Sequence, residues 1–355
     1  MSLRTLGIIF SFALSILCVP LVCIAQQPVK VPRIGYLSPG DVPYYDNAFL
    51  QGLQEQGYIL PGEIARYDAA TWQGLLEKGY FEGKRIRIEI RGTGQHFERA
   101  PKLAAELVGL NVDVVYVIGA LLVRTVQDAA QKANKPIPIV FGPEFDPLGK
   151  GLVTSLARPG GNITGVALVE PDFDAKRLQI IKEAFPRLSR IAYLTNPAFD
   201  PDYFLKSKPA MQTAAQVMRI RVETLEVNTT EDLENAFVEI GRRHIEAIVL
   251  PSRSPVLLAK RDRIRDFVAK RRLPTMYGDA IFVNDGGLMS YGADHAGLKR
   301  RSAALVAKIL EGAKPADMPV EQPTTFEFII NLKTARDLGL TIPDEVLSRA
   351  DRVIR

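Results

Sequence analysis

Short apolar runs alternate with longer helical patterns along nearly all of this 355-residue chain, and that alternation restricts the fold more than any other feature. The strand-like runs are 33–38, 85–91, 112–118, 138–141, 190–195, 221–227, 247–250, 274–277 and 288–291. Between most of them, apolar residues recur at helical spacing over 47–56, 97–110, 121–132, 176–185, 203–219, 231–243, 255–271 and 296–311. Strands that alternate with helices imply parallel sheets covered by helices on both faces. Val112-Asp-Val-Val-Tyr-Val-Ile118 is almost continuously apolar, as a strand buried on both sides must be. So many strands are too many for one sheet in a domain of ordinary size. The expected fold class is therefore α/β, with two doubly wound parallel-sheet lobes. Around Pro159-Gly160-Gly161 a helix is expected to stop, with a turn and then a short strand over 163–167.

The first 25 residues carry one charge, Arg4, ahead of an apolar run from Leu6 to Ile24. A positive start, an apolar core and a small residue, Ala25, at the cut point describe a cleaved signal peptide. The alternatives are an uncleaved anchor, since the run approaches the length of a spanning helix, and a lipoprotein. Neither Cys18 nor Cys23 follows a small residue, so a lipid-attachment site fits poorly. These are the only two cysteines, so a processed chain has no disulfide and no thiol nucleophile. A chain this long buries enough core to do without staples.

The charge balance is slightly basic, 45 Lys and Arg against 40 Asp and Glu. The densest basic stretch, Lys260-Arg-Asp-Arg-Ile-Arg-Asp-Phe-Val-Ala-Lys-Arg-Arg272, reads as an amphipathic helix with a solvated face, so no nucleic acid is expected as partner.

Catalytic and cofactor motifs are missing. His96, His244 and His295 are isolated from one another, which gives no metal-ligand spacing. Glu170-Pro-Asp-Phe-Asp174 lacks the glycine and terminal glutamate of a calcium loop and suits the start of a helix instead. Arg91-Gly-Thr-Gly-Gln-His-Phe97 resembles a dinucleotide loop, but Phe97 stands where a third glycine is needed. There is no phosphate loop and no nucleophile elbow. No cofactor and no metal are expected, and no catalytic residue is assigned.

Loops at the carboxyl ends of the strands remain, which is where open α/β sheets bind ligands. In the first lobe they contain Ser38, Tyr44, Gly119, Ala120, Phe141 and Gly142; in the second, Asn196, Arg253, Tyr277 and Asp279. Together they suit a small ligand with a flat apolar body and a carboxylate, an amino acid being one example. Arg253 would clamp the carboxylate, Asp279 would meet an amine, and Phe141 or Tyr277 would stack. Ser38, the Gly119-Ala120 pair and Asn196 would supply hydrogen bonds, with free N–H groups at Gly119-Ala120.

Four stretches carry a family resemblance: Val31-Pro-Arg-Ile-Gly-Tyr-Leu-Ser38, Gly151-Leu-Val-Thr-Ser-Leu-Ala-Arg-Pro-Gly-Gly-Asn-Ile-Thr-Gly165, Gly286-Gly-Leu-Met-Ser-Tyr-Gly292 and Phe328-Ile-Ile-Asn-Leu-Lys-Thr-Ala335. Over roughly residues 31–355 the chain resembles the extracytoplasmic solute-binding proteins of ABC importers, in the branch with tryptophan and other aromatic-ligand binders. The resemblance implies a periplasmic binding protein of type I fold that is not an enzyme and works with an ABC permease in the inner membrane. It implies a periplasmic location, a monomer, and two lobes that close on the ligand.

The expected layout places 31–145 and 290–320 in the N-terminal lobe and 168–286 and 326–355 in the C-terminal lobe. Crossovers fall at 146–167, 287–289 and 321–325. Two alternatives share the architecture: a sensor for a membrane signalling protein, and a secreted enzyme, for which Asp279, Asp146 and Glu144 are the available acids and bases. One feature departs from the family. Gln51-Gly-Leu-Gln-Glu-Gln-Gly-Tyr58 recurs as Gln73-Gly-Leu-Leu-Glu-Lys-Gly-Tyr80, beside the single tryptophan, Trp72. It reads as a local duplication inserted over about 59–82.

Overall fold

The computed structural model describes residues 30–355 except 41–42, 65–74, 76–78, 95, 169–172, 253 and 324–325, and omits the side chains at 43–45. The leader over 1–25, Trp72 and Arg253 therefore lie outside the described residues, as does the side chain of Tyr44.

Two sheets form the core. The first comprises β1 (Arg33–Ser38), β2 (Tyr80–Glu82), β3 (Arg87–Gly92), β4 (Val114–Val117), β5 (Ile139–Phe145) and β6 (Ile163–Leu168), in the order β2-β3-β1-β4-β5-β6. The second comprises β7 (Arg190–Thr195), β8 (Arg221–Glu226), β9 (Ala247–Val249), β10 (Thr275–Tyr277), β11 (Met289–Ala293), β12 (Phe326–Asn331) and β13 (Arg352–Ile354), in the order β13-β12-β11-β10-β9-β7-β8. Pairing is parallel except between β2 and β3 and between β11 and β12, so the sheets are mixed and mostly parallel.

Alternate residues feed opposite cores, as the period of a strand requires. From β4, Val114 and Tyr116 enter one core and Val115 and Val117 the other. In β7, Ala192 and Leu194 face one side of the second sheet, Ile191 and Tyr193 the other. Burial on both faces is why these strands read as continuous apolar runs.

Helices cover the faces: α1 (Pro43–Glu55), α2 (Ala100–Gly109), α3 (Ala120–Lys132), α4 (Phe173–Ala184), α5 (Pro201–Val217), α6 (Thr230–Arg242), α7 (Pro255–Ala259), α8 (Arg261–Arg271), α9 (Ala280–Asn284), α10 (His295–Leu310), α11 (Leu332–Leu338) and α12 (Asp344–Leu347). Helix α10 leaves the second sheet and packs on α1, β5 and β6 of the first lobe. The fit against α1 is tight, because a Cβ at Gly52 would come within 2.7 Å of that of Ala303. After α10, Glu321 bridges Val166 in parallel, and Thr164 Oγ1 donates to the Met318 carbonyl at 2.9 Å.

Two expected boundaries move. The 163–167 stretch assigned to a crossover is a strand of the first sheet, and the chain quits the second sheet only after Ala293, since β11 pairs with both β10 and β12. The helix expected before Pro159 is absent: residues 147–158 run as turns and bends. Thr154 is bonded to the Pro159 carbonyl through both its N–H and its hydroxyl, which folds this segment back as a loop. Of the duplicated segment, Tyr80–Glu82 adds an antiparallel edge strand, and Ile59 and Leu75 enter the core.

Candidate functional site

The carboxyl ends of β1, β4 and β5 open toward the start of α5 in the second lobe. A cavity of about 270 Å³ lies there, with walls from both lobes. The first lobe contributes Pro39, Phe97, the 118–122 turn, Arg124, Glu144 and Lys150; the second contributes residues 198–202. Phe97 and Phe199, both half-buried, bring one aromatic ring from each lobe. A smaller cavity of about 20 Å³ continues into the second lobe past Asn196, Tyr203 and Ser252. A larger groove, about 520 Å³, runs between α2 and α3, but no residue of the second lobe borders it.

Local structure explains how the walls are placed. Gly119 takes φ 97°, a backbone that L side chains resist, and so turns β4 sharply into α3. No side chain caps α3, so its N-terminal dipole faces the cavity uncovered by a carboxylate or hydroxyl cap. In the second lobe Asp200 caps α5, accepting from Tyr203 N at 3.1 Å, and Pro201 supplies the first helical φ.

The cavity floor is charged and paired. Lys150 Nζ lies 2.9 Å from Glu144 Oε1 and 2.9 Å from Asp200 Oδ2, linking the lobes. Asp146 pairs with Lys206 of α5; this hydrogen bond and that from Gly149 N hold the Asp146 carboxyl below its usual range. Behind α5, Asp174 is fully buried with Arg177 at 2.5 Å, and it accepts from the hydroxyls of Tyr193 at 2.6 Å and Tyr203 at 2.8 Å. Burial, then the Asp174 charge, drives the Tyr193 hydroxyl well above its ordinary pKa.

The residues expected at the site divide. Gly119 and Ala120 line the inter-lobe cavity, and Asn196 lines the smaller one while accepting from Phe199 N at 3.1 Å. Ser38 is buried at the end of β1, its hydroxyl 3.4 Å from the Gly40 carbonyl. Gly142 packs on Tyr116, whose hydroxyl would lie 2.7 Å from a Cβ at that position.

The aromatic wall expected of Phe141 and Tyr277 is not theirs. Both rings are inside the cores, and Tyr277 stacks on Phe282 at 4.7 Å. Strand alternation turned them inward. Asp279 caps α9, accepting from Ile281 N at 3.1 Å, and faces His295 Nε2 at 3.9 Å rather than the cavity. Glu144 and Asp146, the other candidate acid–base groups, are the partners of Lys150 and Lys206.

Phe97, Arg124, Lys150, Phe199 and Asp200 escaped the sequence reading. Phe97 was visible as the misfit in the glycine loop, and Asp200-Pro201 as a helix-start signal. Arg124 and Lys150 carried no local signal. Among the described residues no cluster could hold a metal ion, and no helix is long and apolar enough to cross a membrane.

A family model for the ABC transporter substrate binding protein matches residues 66–354. The chain belongs to that family. It is an extracytoplasmic substrate-binding component of an ABC transporter and not an enzyme. Its two-lobe fold matches periplasmic binding proteins of type I. A tyrosine-binding protein of Clostridioides difficile (strain R20291) is 24% identical over 264 residues, 73% of this chain and 72% of the relative. The ABC domain from Streptococcus pneumonia, solved in complex with L-Trp, is 25% identical with a TM-score of 0.72, covering 91% of this chain and 99% of that one. A conserved domain protein from Vibrio cholerae is 25% identical with a TM-score of 0.73, over 91% and 100% of the two chains.

Proposed function

We propose that this substrate-binding protein takes an aromatic amino acid, or a closely related aromatic carboxylate, into the cavity between its lobes. The observation that carries the reading is the pairing of Phe97 and Phe199 across a cavity that also contains the α3 N-terminus and Arg124. Two rings suit a flat apolar body, each worth roughly 1 kcal/mol beyond the area it buries. The N–H groups after Gly119 and the guanidinium of Arg124 suit the carboxylate. Ala120 and Asn196 complete the set, with Tyr44 and Arg253 as further contacts from the loops expected beside the ligand. The relatives solved with L-Trp and named for tyrosine support the same chemistry.

In this reading the leader is cleaved and the protein acts in the periplasm as a monomer. The lobes close on the ligand by bending at the crossovers, and the closed form meets the permease in the inner membrane. Differential affinity for closed over open sets how far the population shifts.

Thermal unfolding with L-tryptophan, L-tyrosine, L-phenylalanine and tryptamine tests the ligand class. An amino acid at a hundred times its Kd adds about 2.7 kcal/mol of stability, and Arg124→Gln should weaken binding about tenfold. Tryptamine, which lacks the carboxylate, should leave the transition unmoved. If none of the three amino acids raises the transition temperature, the aromatic amino-acid assignment fails.

A further inference from the structure

An amino acid brings a cation as well as a carboxylate, so the acids of the cavity decide whether its amine finds a partner. Among the described residues, those lining the inter-lobe cavity are Glu144, Asp200 and Asp202. Asp202 is exposed in the first turn of α5, where water and salt screen it. The other two are enclosed, Glu144 with 1% of its side chain exposed and Asp200 with 11%. Both are held by one ammonium. Lys150 Nζ donates to Glu144 Oε1 at 2.9 Å and to Asp200 Oδ1 and Oδ2 at 3.0 and 2.9 Å, which uses all three of its N–H groups. The Lys150 side chain is itself 9% exposed, and its carbonyl accepts from the guanidinium of Arg124. Glu144 and Lys150 belong to the same lobe, so that pair does not depend on how far the lobes are closed. Asp279, the acid expected to meet an amine, is turned toward His295 instead.

We propose that Lys150 takes the place of a ligand amine, so that the cavity selects an aromatic carboxylate without an α-amino group over the corresponding amino acid. The inference rests on the aromatic reading of this cavity and names which of its two ligand classes is preferred. The cations Arg124 and Lys150 match the two enclosed acids, and Asp200 also accepts from Tyr203 N at the start of α5, whose dipole offsets its charge. The uncapped N-terminus of α3 adds partial positive charge on the same wall, so the surplus favours an anion. A ligand ammonium would meet acids already engaged and would lie near Lys150, a like-charge placement of the kind that excludes a wrong ligand. Left without a partner in an enclosed site, such a group weakens binding more than its absence does.

Calorimetric titration with matched ligands tests this, indolepropionate against L-tryptophan and phenylpropionate against L-phenylalanine. The members of each pair differ only in the α-amino group, and the acid without it should bind about tenfold more tightly. Lys150→Met removes the ammonium and keeps an apolar stem of similar length. It should reverse the order, because a ligand amine then supplies the missing cation. If that variant does not fold, Lys150→Met with Glu144→Gln leaves Asp200 alone, and the double variant should also move the preference toward the amino acid. A purely structural Lys150 would weaken both members of a pair alike, and that result overturns the proposal. Tighter binding of the amino acids by the parent overturns it too, while leaving the aromatic assignment intact. Binding of neither member of either pair sinks the aromatic reading itself, and this inference with it.

Discussion

Asp279 shows how one side chain acquires a role that its loop position did not suggest. Its carboxylate caps α9 in a fully enclosed setting, and burial raises its pKa, with His295 opposing. A carboxyl whose folded pKa is raised favours the folded state most at pH values below its unfolded pKa, and this contribution is lost as pH rises through the folded value. Asp279→Asn keeps a good cap and removes the buried charge. The variant should unfold at a higher temperature than the parent at pH 7, and the gain should shrink as pH falls into the ordinary carboxylate range. Calorimetry across pH 4–7 checks this; an unchanged gain would show that the charge is not what costs. Phe141 teaches the same lesson from the other side. The sequence puts it at the end of a strand over 138–141, but β5 runs from Ile139 to Phe145, so the ring stands inside the strand and register turns it to the core.

At the scale of elements, backbone contacts replace side chains where β9, β10 and β11 end. A Cβ on Gly278 would lie 2.1 Å from Ser252 N, and one on Gly292 would lie 2.2 Å from the Gly278 carbonyl oxygen. Neither obstacle is a flexible side chain, so Gly278→Ala must displace main chain beside the smaller cavity. It should cost about 1–3 kcal/mol, read as a lower urea midpoint at unchanged slope. The long apolar runs β1 and β7 were legible to the residue because burial on both faces leaves no polar interruption. The three-residue strands β2 and β13, and the six-residue β12, were not legible. They lie at or beside sheet edges, where neighbouring strands supply the pairing. The helix expected before Pro159 failed for a related reason: its apolar residues Leu152 and Val153 are buried, but from turns closed by Thr154.

For the whole molecule, the ion pair between Asp146 and Lys206 ties stability to acid and to salt. Asp146 faces Lys206 from α5 and Lys150 from its own turn, and its pKa is lowered chiefly by the Lys206 hydrogen bond. A depressed carboxyl contributes its stability above the unfolded value and loses it only as pH falls through the folded one. Between pH 5 and 8 the contribution of this pair to the unfolding temperature should therefore hold steady, and it should fade below about pH 3.8, the ordinary value for aspartate. Molar salt at pH 7 should weaken it too, since both side chains are partly exposed; if the difference in unfolding temperature between the parent and Lys206→Gln changes in step with pH between 5 and 8, another group carries the effect. By itself the sequence determined the α/β class, the run of buried strands and the membership signalled by its motifs. Each of these follows from periodicity or from residues close together in the chain. Only the tertiary structure decided which sheet each late strand joins, which loop residues meet at the cavity, and that residues 146 and 150 face 200 and 206. The physical reason is that contacts between residues fifty or more positions apart leave no periodic trace, since they depend on the packing of whole lobes.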